Sequence, residues 1–133
     1  MGEHTYVEDE LDKAREALTD ADQLTAAGGS DAGIVNRLYY ACFHAAQAAL
    51  YDRDVHPSSH GAVQRLFGRE LVLGDDATRA QGRLLAELSD MRQQADYGYE
   101  PLDVDVESLH DRTVEFVAAM ETIVGADDGS DGE

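Results

Sequence analysis

Residues 37–50 read RLYYACFHAAQAAL, and the spacing within this stretch decides the fold. Taken with its flanks, it places Ile34, Leu38, Cys42, Ala45, Ala46, Ala49 and Leu50 three or four residues apart, the repeat of one face of an α-helix. A half-buried strand would alternate with a period of two, and no such alternation is sustained here. Ser30 or Asp31 can cap the start, and the pattern ends near Asp52. The alanines put little bulk on the apolar face, so a neighbouring helix can approach closely.

The same repeat extends outward in both directions. Upstream, Leu11, Ala14, Leu18, Ala21 and Leu24 follow a capping-box pattern at Thr5 and Glu8 and stop at Gly28 and Gly29. Downstream, the loop RDVHP (53–57) precedes Ser58 or Ser59, either of which can cap a short helix through Val63, Leu66 and Phe67 that ends near GRELVLG (68–74). Asp75 or Asp76 opens a fourth helix carrying Leu84, Leu85, Leu88, Met91 and Ala95, which frays at Gly98 before Pro101. A fifth runs from Asp105 through Val106, Leu109, Thr113, Phe116, Val117, Met120 and Ile123 to a stop at Gly125. Both prolines, Pro57 and Pro101, fall between these segments. The expectation is an all-α fold, an antiparallel bundle of about five helices. Residues 1–125 form one domain, and the acidic tail 126–133 is expected to be disordered because it has nothing to bury.

A chain of 133 residues does not reach two cores, since a second takes roughly another hundred residues. No apolar run approaches the roughly 18 residues of a membrane span, and the opening MGEHTYVEDE lacks the basic and apolar regions of a signal peptide. The expected location is the cytoplasm. The single cysteine, Cys42, sits in an apolar run and cannot form an internal disulfide, which marks it as core filler.

The charge is lopsided: 28 acidic residues face 10 basic ones, a net of −18, with Lys13 the one lysine. In dilute buffer such a chain repels itself. At about 1 M salt the Debye length falls to about 3 Å, and a dense carboxylate surface becomes tolerable and keeps the protein hydrated. The balance resembles that of proteins from salt-adapted, halophilic organisms. It also argues against a broad nucleic-acid surface, which calls for Lys and Arg, so any RNA site has to be local.

Two segments carry polar groups suited to chemistry. Within RLYYACFHAAQAAL, Arg37, Tyr40, His44 and Gln47 lie three, four and three apart and share one helix face. Arg37 can fork onto a phosphate, His44 titrates near neutrality and Tyr40 can donate a hydrogen bond, a set sufficient to cleave RNA through its 2′-hydroxyl. The same residues also suit plain packing and ion pairing between helices. In RQQADYGYEP (92–101), Arg92, Asp96 and Tyr99 stand at i, i+4 and i+7, beside Tyr97. There too Asp96 can simply pair with Arg92 one turn earlier. His56 and His60 flank Pro57 without a third ligand nearby and read as a loop residue and a helix-start residue rather than a metal pair. His4 and His110 carry no signal, and no glycine-rich phosphate loop is present.

The order RLYYACFHAAQAAL, then SSHGAVQRLF (58–67), then a helix ending MRQQADYGY (91–99), resembles the HEPN superfamily, in particular its group with an Arg-x-x-Ala-Asp-Tyr signature. The resemblance covers about residues 7 to 124. It implies a helical bundle that forms homodimers, is often paired with a minimal nucleotidyltransferase antitoxin, and in many cases cuts RNA without a metal. The family's cutting motif is an Arg followed, after four to six residues, by a His, in a cleft at the dimer interface. Here that motif starts at Arg92, and the positions open to His hold Tyr97, Gly98 and Tyr99.

Two arrangements bridge that departure. Arg37 and His44 have six residues between them and can join Arg92 and Asp96 in a composite catalytic site. Alternatively, in related toxins the partner adenylylates a tyrosine in the motif, and Tyr99 occupies that tyrosine's position with Tyr97 in the histidine's. The expected function is the toxin component of a HEPN/nucleotidyltransferase pair, a metal-independent ribonuclease needing no cofactor. The alternative is a non-catalytic HEPN module that binds a nucleotidyltransferase or a nucleotide.

Overall fold

A computed structural model describes residues 2–99 and 102–132, with side chains described for 6–99 and 102–125. Five α-helices make up the fold in the order α1 (Gly2–Ala26), α2 (Asp31–Asp52), α3 (His60–Leu66), α4 (Arg79–Tyr97) and α5 (Val106–Gly132). A π-helical segment, Phe67–Val72, continues α3 without a break. No strand occurs among the described residues.

The ends of these helices follow local chemistry. α1 starts at Gly2, so Thr5 lies inside it and is not its cap. It ends where Gly28 takes a left-handed φ of 73°, open to glycine at no steric cost, and Gly29 N–H bonds back to the Leu24 carbonyl. Ser30 caps α2 by accepting from the Gly33 N–H, and Ser59 caps α3 by accepting from the Ala62 N–H. α4 does not open at Asp75 or Asp76. Asp75 sits in the left-handed region at φ 66°, Asp76 is engaged by Arg53, and the cap is Thr78 in a capping box with Gln81. α4 ends at Tyr97, with Gly98 in an extended conformation, so Tyr99 lies beyond the helix and the i+7 placement fails. Asp105 caps α5, its carboxylate accepting from the Ser108 N–H. α5 continues through Gly125 and Gly129 to Gly132, past the expected stop; an interior glycine costs a helix only about 1 kcal/mol relative to alanine, so Gly125 does not by itself end it. The expectation for Pro101 lies outside the described residues, as do the side chains of 126–133.

α2 is the central helix. Leu38, Cys42, Ala45, Ala46, Ala49 and Leu50 are fully buried, and one contiguous core joins them to α1, α3, the π segment, α4 and α5. Burial raises the Cys42 thiol pKa to about 12, so it packs as an apolar group. The π segment turns Phe67 and Leu71 inward, and Phe67 meets Phe116 of α5 at 5.4 Å between ring centroids. Each such large side chain contributes roughly 1.5–3 kcal/mol on burial. Antiparallel packing of α1 on α5 is fixed at two levels, by Arg15 with Glu121 at 2.6 Å and by His110 with Asp22 at 2.7 Å. His110 thus has a structural partner that its sequence context did not reveal. No helix among the described residues is long and apolar enough to cross a membrane.

Candidate functional site

The polar edge of α2 faces α1, and there the apolar stripe of α1 is interrupted by one carboxylate. Glu10, between buried Val7 and Leu11, is itself 8% exposed. Its Oε1 accepts from Gln47 Nε2 at 3.0 Å and lies 2.7 Å from His44 Nδ1. Burial alone would raise the Glu10 pKa, but the His44 and Gln47 hydrogen bonds, with the charges of His44 and Lys13, bring it below its ordinary value. The ionised carboxylate can only accept, so His44 Nδ1 carries the hydrogen, and in the neutral form of the ring the lone pair is on Nε2.

Tyr40 is the hub of the surrounding groups. The Arg37 guanidinium carbon lies 5.2 Å from the Tyr40 ring centroid and that of Arg92 lies 5.9 Å from it. His44 stacks on the same ring at 6.1 Å, and His60 meets its edge, also at 6.1 Å. Arg92 comes from α4 and stands closer still to Tyr39, 4.9 Å from that centroid. Both distances suit cation–π attraction, and the low-lying guanidiniums bring positive charge into a strongly acidic molecule. Arg37 is steadied by Asn36 Oδ1, at 2.6 Å from Nη2, and by Asp20 at 4.0 Å. A groove of about 290 Å³ between α1 and α2 is lined by Lys13, Glu16, Ala17, Asp20, Arg37, Tyr40 and His44.

Of the residues singled out in the sequence, Arg37, His44 and Arg92 therefore converge on the ring of a fourth, Tyr40. Asp96 reaches that cluster through Arg92, whose Nη1 donates to Asp96 Oδ2 at 3.2 Å. Tyr97 and Tyr99, 82% and 102% exposed, project into solvent at the end of α4. Glu10, Tyr39 and His60 were missed. Glu10 was readable as an acid on an otherwise apolar helix face. His60 starts α3 as expected but also stacks on Phe43 at 4.3 Å and lies 3.1 Å from the Tyr39 hydroxyl through Nδ1. No local spacing reports that contact. Burial, together with the neighbouring charges of Arg92 and His44, lowers the His60 pKa below its ordinary value.

A larger open cavity, about 740 Å³, lies at the α1–α2 turn, rimmed by Asp22, Asp31, Glu107, His110 and Asp111. Its rim is rich in carboxylates and poorly suited to a phosphate. Among the described residues no three His, Cys, Asp or Glu side chains gather in a metal-binding group.

Comparison with known proteins adds an independent line. Residues 7–123 match the family described as HEPN domain. A Thermotoga maritima protein named "UPF0332 protein" is 31% identical over 115 residues, 84% of this chain and 86% of that one. Two Methanocaldococcus jannaschii proteins also match. "Putative toxin MJ0605" is 33% identical over 56% of this chain and 57% of its own length, and "Putative toxin MJ0142" is 26% identical over 65% and 58%. The chain thus spans somewhat more than half the length of these two archaeal relatives.

Proposed function

The chain belongs to the HEPN domain family, and on that premise we propose that it is the toxin of a toxin–antitoxin pair, a metal-independent ribonuclease restrained by a minimal nucleotidyltransferase. The names of the two archaeal relatives support the toxin role. The observation that carries the chemistry is His44, held through Nδ1 by Glu10 with Nε2 left basic, beside two guanidiniums on the Tyr40 ring. In the proposed reaction His44 Nε2 takes the proton of a 2′-hydroxyl. The 2′-oxygen then attacks the adjacent phosphorus, the bond from phosphorus to the 5′-oxygen breaks, that oxygen takes a proton from water, and the hydroxide left takes the proton back from His44 Nε2. Arg37 and Arg92 neutralise the phosphate as charge builds on it. A second copy supplies the family's dimeric cleft, and light scattering that gives a monomer in concentrated salt would remove that part.

The test is RNA cleavage in about 1 M salt, where the net −18 charge is screened. A general base contributes about 10²–10⁴-fold, so His44→Ala should fall by that factor while folding survives. Arg92→Ala should fall comparably. Cleavage unchanged in both variants would overturn the site.

One observation favours a second reading, a non-catalytic module. Tyr97 stands where the family's histidine is expected, and both it and Tyr99 are exposed. In that case the protein leaves RNA intact yet co-purifies with the nucleotidyltransferase, which adenylylates Tyr99.

A further inference from the structure

The site contains a second imidazole that the proposed reaction leaves idle. His60 is exposed at the start of α3, yet its ring is held on three sides: stacked on Phe43 at 4.3 Å, stacked on Tyr39 at 6.2 Å, and edge-on to Tyr40 at 6.1 Å. The Tyr39 hydroxyl fixes its Nδ1 at 3.1 Å. A phenol donates better than it accepts, and an imidazole nitrogen with a lone pair is a strong acceptor, so the favoured pairing is Tyr39 O–H to His60 Nδ1. In the neutral ring this puts the hydrogen on Nε2. His44 has the opposite arrangement, because Glu10 claims its Nδ1–H.

From these contacts we infer that His60 is a phosphate-binding residue of the same site, its Nε2–H donating to a non-bridging oxygen of the RNA phosphate whose 2′-hydroxyl His44 deprotonates. Both rings lie against Phe43 and Tyr40, His44 at 5.1 and 6.1 Å and His60 at 4.3 and 6.1 Å between centroids, and in the proposed complex one phosphodiester spans the two imidazoles. Burial, with the neighbouring charges of Arg92 and His44, lowers the His60 pKa and so favours the neutral ring, the form with a fixed donor. The site then offers one imidazole lone pair for the 2′-hydroxyl and one imidazole N–H for the phosphate. This inference rests on the ribonuclease reading, because it supplies that reaction's substrate contact.

Nitrogen-15 correlation spectra of the full chain at neutral pH and about 1 M salt test the geometry without any activity. Expected are a protonated Nε2 on His60 and a protonated Nδ1 on His44, with Tyr39→Phe blurring the first and leaving the second. Binding is measured with a 2′-O-methyl oligoribonucleotide, which cannot be cut. A hydrogen bond to a charged group implies about a tenfold loss or more for His60→Ala. His60→Gln, which can restore a donor, should recover most of it, a rescue that a purely structural role would not give. Binding of His60→Ala at wild-type strength, or a proton found on His60 Nδ1, overturns the inference. If the wild type binds as described and no RNA is ever cut, the ribonuclease reading fails while the phosphate contact stands.

Discussion

Glu10 and His44 stand 2.7 Å apart across the α1–α2 interface, with Gln47 as a second donor to the same carboxylate oxygen. This contact joins fold and site, since it pins the two helices and also sets which imidazole nitrogen faces outward. Removing the acid leaves two part-buried donors without an acceptor. Glu10→Ala should therefore lose roughly 1–3 kcal/mol of stability, and cleavage should fall with the His44 orientation.

The same contact has a pH signature. The folded Glu10 carboxyl titrates below its ordinary value of 4.5, so its contribution is fully present above that value and is lost as pH falls through the lower folded value. Urea denaturation at pH 6 and at pH 3.5 should show a larger acid loss in the wild type than in Glu10→Gln. Equal losses would mean the carboxylate is not held as described.

His110 runs the opposite way. Burial alone would lower its pKa, but hydrogen bonds and charge from Asp111 and Asp22 raise it above the ordinary 6.5. A raised folded pKa means the clasp on α1 is at full strength below 6.5 and is lost as pH climbs through the higher folded value. The melting temperature of the wild type should decline over that window relative to His110→Gln. Salt should shrink the difference, because Asp22 is mostly exposed.

Packing of the π segment carries a fourth prediction. Phe67 and Phe116 are both buried, their rings 5.4 Å apart. Phe116→Ala should cost about 3–5 kcal/mol by denaturant unfolding, and Phe116→Leu distinctly less, because it keeps most of the buried volume.

How far the sequence carried these results depends on the range of the interactions. α2 was readable because its apolar period is local, and so were the Ser30 and Ser59 caps. The start of α4 was misplaced because Asp75 and Asp76 are good caps by type. A left-handed backbone takes one out of use and Arg53 the other, while Thr78 and Gln81 form the box. Arg37, Tyr40 and His44 were visible as one face. The arrival of Arg92 at Tyr39 and Tyr40 depends on how α4 docks, and the His60 contact depends on the loop that returns α3 to α2. Long-range contacts of that kind leave no periodic trace.

Salt separates the global charge from the local site. The proposed site sets two guanidiniums and an imidazole to bind phosphate in a molecule of net charge −18, so long-range repulsion and short-range attraction would oppose each other. For a basic protein, affinity for nucleic acid falls with salt by about 0.7 powers of concentration per single-strand phosphate neutralised, and two arginines give a shallow fall. The repulsion is a long-range effect screened beyond about 10 Å at 0.1 M and beyond about 3 Å at 1 M. The association rate of a single-stranded oligoribonucleotide should therefore rise between these salt levels, the reverse of ordinary RNA-binding proteins. Stopped-flow anisotropy at a series of salt concentrations reads this directly. A rate that falls steadily with salt would mean that the arginine cluster, not the net charge, governs approach.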